Sequence, residues 1–165
     1  MKMKYKIMIF VLIFTGSALI FHFYLLSLRP VEIIAVHHRS SNYVSVLVRS
    51  FPYTDRGKIN WWRKNEKMLR EKYSIPSPGK DGSFSVTFWL FGDGYKELDK
   101  YDRLCFEDMK TEKNCIEKDV VFSVDNSKNM GMMFRAYDGT YRLQKNGKIV
   151  KYVDNYKVRG VYPPD

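Results

Sequence analysis

The chain has 165 residues and a formal charge of +10, from 28 Lys and Arg against 18 Asp and Glu. Its aromatic content of 16% excludes a disordered or low-complexity chain and calls for a packed core. The basic surplus suits nucleic acid, anionic lipid or an acidic partner, and the first thirty residues decide among these.

Residues 7–28 carry no Asp, Glu, Lys or Arg and are mostly Leu, Ile, Val and Phe. As a helix they span roughly 33 Å, enough for a hydrocarbon core of about 30 Å. Lys2, Lys4 and Lys6 precede the run and only Arg29 follows it closely. This bias predicts a cytoplasmic N-terminus (residues 1–6) and export of everything beyond the span. Tyr5 and Tyr24 fall near its two ends, where amphipathic rings collect.

Gly16-Ser17-Ala18 has the small residues of a signal-peptidase site, but residues 19–28 stay apolar apart from His22 and Ser27. The expectation is therefore an uncleaved signal-anchor, single-pass in a bacterial inner membrane. His22 reads as a neutral imidazole near the outer headgroups rather than a proton relay. Gly16 has Leu12 and Ile20 four positions away, so a small-xxx-small dimer face is missing.

The remaining 137 residues suffice for one domain, expected over 30–153 with a frayed tail at 154–165. Without Lys2, Lys4, Lys6 and Arg29 the charge of +10 falls to +6. Export removes nucleic acid from the partner classes and leaves the membrane and a protein partner. In an oxidising periplasm Cys105 and Cys115 read as one disulfide, closing a short polar turn. Two Cys with nine residues between them and no His nearby do not make a zinc site, so no metal or cofactor is expected.

Residues 31–36 and 43–49 predict a hairpin, the second strand alternating as Val44, Val46 and Val48 against Tyr43, Ser45 and Leu47. His37 and His38 between them are expected in a solvated loop, and on a strand they would point to opposite faces. Thr54 or Asp55 caps a helix that stops before Pro76. Ile59, Trp62, Leu69 and Tyr73 form its core stripe, with Trp61 beside it. Lys58, Arg63, Lys64, Lys67, Arg70 and Lys72 lie on its other face, expected in solvent rather than on a membrane. Residues 83–91 read as a central strand ended by Gly92-Asp93-Gly94. Further strands are predicted at 103–107, 115–124, 130–137, 140–144 and 148–153. Turns are expected at 125–127, Asp138-Gly139 and Asn146-Gly147. The composite is α+β: a single transmembrane helix, then one antiparallel, strand-rich domain with one main helix packed on the sheet.

Catalytic signatures are sparse. No Gly-x-Ser-x-Gly elbow, His-Glu-x-x-His or phosphate loop occurs. Asp93, Glu97, Asp99 and Asp102 could supply a carboxylate pair for a small envelope hydrolase. Lys96 and Lys100 between them favour a solvated loop of alternating charge.

Several long segments carry a likeness: LRPVEIIAV at 28–36, FPYTDRGKINWW at 51–62 and IPSPGKDGSFSVTFWLFGDGYKE at 75–97. To these are added YDRLCFEDMKTEKNC at 101–115 and DGTYRLQKNGKIVK at 138–151. Through them the chain resembles the enterobacterial putative membrane protein family, a domain of unknown function numbered 943. The resemblance covers nearly all of the chain except its last dozen residues and implies a single-span envelope protein. It brings no activity, ligand or site residues.

The reading is therefore a non-enzymatic, tethered protein-interaction module. Its candidate partners are an envelope complex or, for an immunity factor, an incoming toxin. Trp61, Trp89 and Tyr95 are the candidate binding aromatics.

Overall fold

The computed structural model describes residues 2–27 and 29–153. Leu28, the expected tail at 154–165 and the side chain of Tyr24 lie outside the described residues.

Helix α1 (Lys2–Ser27) is about 39 Å long by helical rise. Its window Tyr5–His22 is long and apolar enough to cross a membrane and has none of its residues buried in the rest of the chain. The aliphatic hydroxyls of Thr15 and Ser17 inside that window are satisfied locally. Thr15 Oγ1 donates to the carbonyl of Val11 (2.9 Å) and Ser17 Oγ to that of Ile13 (2.8 Å). Neither leaves an unpaired donor for a hydrocarbon environment to penalise.

Strands β1 (Glu32–Ser40) and β2 (Tyr43–Arg49) pair antiparallel as the predicted hairpin. Strand β1 nonetheless runs through both histidines, where a loop was expected. Its register shifts between Ile33 and Ala35, a bulge at Ile34 that moves succeeding side chains to the opposite face. Ile33 and Val36 consequently pack on one side of the sheet, and Ile34 and Ala35 on the other. Strand β2 is buried on both faces rather than one, Val44, Val46 and Val48 on one side and Leu47 on the other.

Helix α2 (Asp55–Tyr73) begins where the capping pattern placed it. Thr54 Oγ1 accepts from the amide of Gly57 (3.1 Å), and Asp55 puts a carboxylate in the positively polarised first turn. It ends at Ser74, whose left-handed backbone (φ 56°) lets the amide of Ile75 reach the carbonyl of Leu69 (3.1 Å). Trp62, Leu69 and Ile59 are buried as expected. Lys58 is a correction: it is buried, not on the solvent face.

Passing through α2 reverses the chain, so β3 (Phe84–Leu90) lies parallel to β2, the one parallel pair in an otherwise antiparallel sheet. The large sheet continues with β7 (Val120–Ser127), β8 (Gly131–Ala136), β9 (Gly139–Leu143) and β10 (Ile149–Tyr152), in the order β1-β2-β3-β7-β8-β9-β10. A second, small sheet is formed by β4 (Lys96–Glu97), β5 (Arg103–Cys105) and β6 (Lys113–Glu117), in the order β4-β6-β5.

Strand β4 was not expected, the strand expected at 103–107 ends at Cys105, and two further boundaries differ more. The strand predicted at 115–124 is two strands in different sheets, β6 and β7, broken at Lys118-Asp119. The turn predicted at 125–127 is the end of β7. Asp125 stays in the ladder because Ser85 Oγ donates to it (2.7 Å) and Arg135 pairs with it (2.7 Å), and the chain reverses at 128–130.

The core is layered accordingly. The main cluster lies between α2 and one face of the large sheet, around Trp62, Phe88, Phe122 and Phe134. A smaller cluster, Leu47, Leu104, Phe106 and Ile116, joins the small sheet to the opposite face at its β1–β3 end.

Candidate functional site

A largely buried polar cluster lies where the two sheets meet. His37 is only 5% exposed, and its ring stacks on Phe106 at 3.8 Å between centroids. Nδ1 lies 2.8 Å from Asp108 Oδ2 and Nε2 lies 2.8 Å from the Tyr95 hydroxyl. A carboxylate at Nδ1 fixes the proton there, so Nδ1–H donates to Asp108 and Nε2 accepts from the phenol. Three elements converge: β1 supplies His37, the segment before β4 supplies Tyr95, and the turn between the two cysteines supplies Asp108.

An Asp-His-Tyr chain invites comparison with an activated nucleophile, whose phenol would need to lose its proton easily. The opposite holds here. Burial, and secondarily the charge of Asp108, push the Tyr95 phenol above its ordinary value of 10.0. The cluster's hydrogen bonds join β1, the segment before β4 and the turn between the cysteines, and so clamp one sheet to the other. The sequence reading missed it because a bulge cannot be read from composition. The available signal was strand parity: His37 and His38 had to face opposite sides, and one of them faces inward.

Cys105 and Cys115 stand directly opposite each other on β5 and β6 and form the disulfide read from the sequence. Their turn carries Asp108, so the cross-link borders the clamp.

The acidic residues of the candidate hydrolase loop point to separate cations. Asp93 pairs with Lys96 (3.5 Å), Asp99 with Arg103 (2.7 Å) and Asp102 with Lys118. Lys96 and Arg103 also share Glu117 (2.9 and 3.3 Å). The Lys96 hydrogen bond leads in holding the Glu117 carboxyl below its ordinary value, and Glu117 in turn holds the Lys96 ammonium above its own. These pairs knit β4, β5 and β6 together at the surface. Among the described residues no group of three or more His, Cys, Asp or Glu is arranged to hold a metal ion.

The three candidate aromatics do not form one patch. Trp61 packs edge-on against Phe51 (5.2 Å) and Phe88 (5.8 Å) on the α2 side of the sheet. Trp89 and Tyr95 belong to the cluster on the other side. All three are half-buried. Strand parity separates them: Trp89 alternates with Phe88, which faces α2. Trp61 borders a cleft of about 520 Å³ that begins at Arg29 and Pro30, immediately beyond α1.

The chain matches the family described as Enterobacterial putative membrane protein (DUF943) over residues 2–153. It belongs to this family. The match takes in α1 and every strand of both sheets, so the span and the head form one family unit. No curated protein and no solved structure matches the chain. Membership of DUF943 thus supports a membrane protein with one candidate span near its N-terminus.

Proposed function

We propose that this DUF943 protein is a tethered interaction module: α1 anchors it in the inner membrane, and its head meets a protein partner in the periplasm without catalysing a reaction. The observation that carries the reading is the half-covered sheet. The small sheet packs only on the β1–β3 end, and the second cluster includes no residue of β7, β8, β9 or β10. On this open side, Met130, Met133, Arg135 and Tyr152 border a shallow cavity of about 470 Å³. Tyr137 stands 91% exposed at the nearby β8–β9 turn. Met, Tyr and Arg are the side chains enriched at protein interfaces. Anchoring keeps the head at the bilayer, where a partner in the same envelope complex is met at high effective concentration. The periplasmic side follows from the three lysines ahead of the span.

Photocrosslinking in intact cells tests this. A photoreactive side chain at Arg135 or Tyr152 is expected to give a discrete protein adduct, and one at His38, on the far edge strand, none. The adduct's identity separates an envelope-complex partner from a toxin neutralised by an immunity factor. No adduct from either open-face position would refute the reading. The hydrolase alternative predicts a loss-of-function phenotype when Asp93, Asp99 and Asp102 are changed to Asn. The interaction reading predicts none.

A further inference from the structure

We infer that the cleft beside the membrane exit binds the headgroup and upper acyl chain of an anionic phospholipid. This inference rests on the span and not on the partner reading above.

Arg29 is two residues beyond Ser27, the last residue of α1, so it lies within roughly 7 Å of the helix end along the chain. Each headgroup layer is about 5–7 Å deep, which puts Arg29 and the cleft it opens at the phosphate level of the leaflet. The cleft lies between the start of β1 and the C-terminal half of α2. Its wall is mixed, with Trp61, Met68 and Tyr73 beside the amide of Asn65. Its rim carries two cations, Arg29 and Lys72. Met68 is 37% exposed.

Charge selects the occupant. The two glutamates of α2 are already engaged, Glu66 by Arg70 (3.4 Å) and Glu71 by Lys67 (3.9 Å). Among the described residues neither Arg29 nor Lys72 has a carboxylate partner, and Lys72 Nζ sits 5.2 Å from the centre of the Tyr73 ring. Two cations without a carboxylate partner among the described residues, beside Trp61, Met68 and Tyr73, match a phosphodiester above an acyl chain. A neutral or zwitterionic lipid matches the wall but gains less from the rim. A soluble phosphate matches the rim but leaves the wall without an occupant.

The test uses the full chain in nanodiscs of phosphatidylcholine with increasing phosphatidylglycerol, the acyl chains of one lipid at a time brominated. All three tryptophans (Trp61, Trp62 and Trp89) are in the head, so quenching of their fluorescence reports lipid at the head alone. Brominated phosphatidylglycerol is expected to quench more than brominated phosphatidylcholine at equal fraction, and Trp61→Phe to remove most of the difference. R29Q/K72Q should lower the preference for phosphatidylglycerol about 30-fold, at roughly 1 kcal/mol for each basic residue at an anionic surface. R63Q/K64Q removes the same charge from α2 outside the cleft and should keep most of the preference. Inorganic phosphate at constant ionic strength should leave quenching unchanged. Equal quenching by the two lipids, equal losses in the two double variants, or displacement by phosphate would each overturn the site. The photocrosslinking result is independent of all three.

Discussion

His37 shows how one side chain changes role with its surroundings. In solvent it would be an ordinary surface imidazole, but here it stacks on Phe106 and is hydrogen-bonded at both nitrogens. His37→Ala would lose the stacked ring and strand the Tyr95 hydroxyl and one face of Asp108. The expected cost is about 2–4 kcal/mol, read as a lower denaturation midpoint with an unchanged slope. A second prediction concerns two phenols. Tyr95 is held above 10.0 by burial first and by Asp108 second. Tyr141 is held above it by its hydrogen bond to Asp55 first (2.8 Å), then by burial. The folded head therefore holds these protons more tightly than the unfolded chain does. That stabilisation is complete below about pH 10 and is lost as pH rises through the folded values. Denaturation midpoints should fall above about pH 10, less steeply in Tyr95→Phe and Tyr141→Phe. Identical pH slopes in all three proteins would contradict the assignment.

Among the elements, the cross-linked turn between β5 and β6 has the clearest consequence. Its disulfide closes a short loop, and in the chain-entropy picture its removal costs about 3 kcal/mol. C105S/C115S should lose amide-exchange protection first in β4, β5 and β6, whereas β2 and β3, between α2 and the neighbouring strands, keep theirs. Equal loss in both sheets would mean that the small sheet is not a separate unit. The elements also divide by how legible they are in sequence. The two helices were readable because their signals are local: an uninterrupted apolar run for α1, and for α2 a Thr54 cap, a core stripe and a downstream proline. The disulfide was readable from cysteine spacing and compartment. What escaped depends on contacts distant in sequence. The bulge at Ile34 is set by pairing with β2, and the break at Lys118-Asp119 by the separation of two sheets. The burial of His37 requires Asp108, 71 residues away. Lys58 reads as a surface cation on any helical wheel, yet it is buried.

For the whole molecule, a helix long enough to span a bilayer is followed by a head whose first strand begins at Glu32, five residues beyond Ser27. In the proposed arrangement that short connection sets the cleft at Arg29 beside the bilayer. The disulfide and ion pairs hold the small sheet together, and the clamp joins the two sheets of the head. Its compartment decides whether the cysteines meet oxidising conditions and which partners are within reach. Alkaline phosphatase, which folds to an active form only after export, reports that compartment when fused after Asp165. Strong phosphatase activity in intact cells is the predicted result. An inactive phosphatase fusion, with a β-galactosidase fusion at the same position active, would contradict the topology on which the partner reading depends.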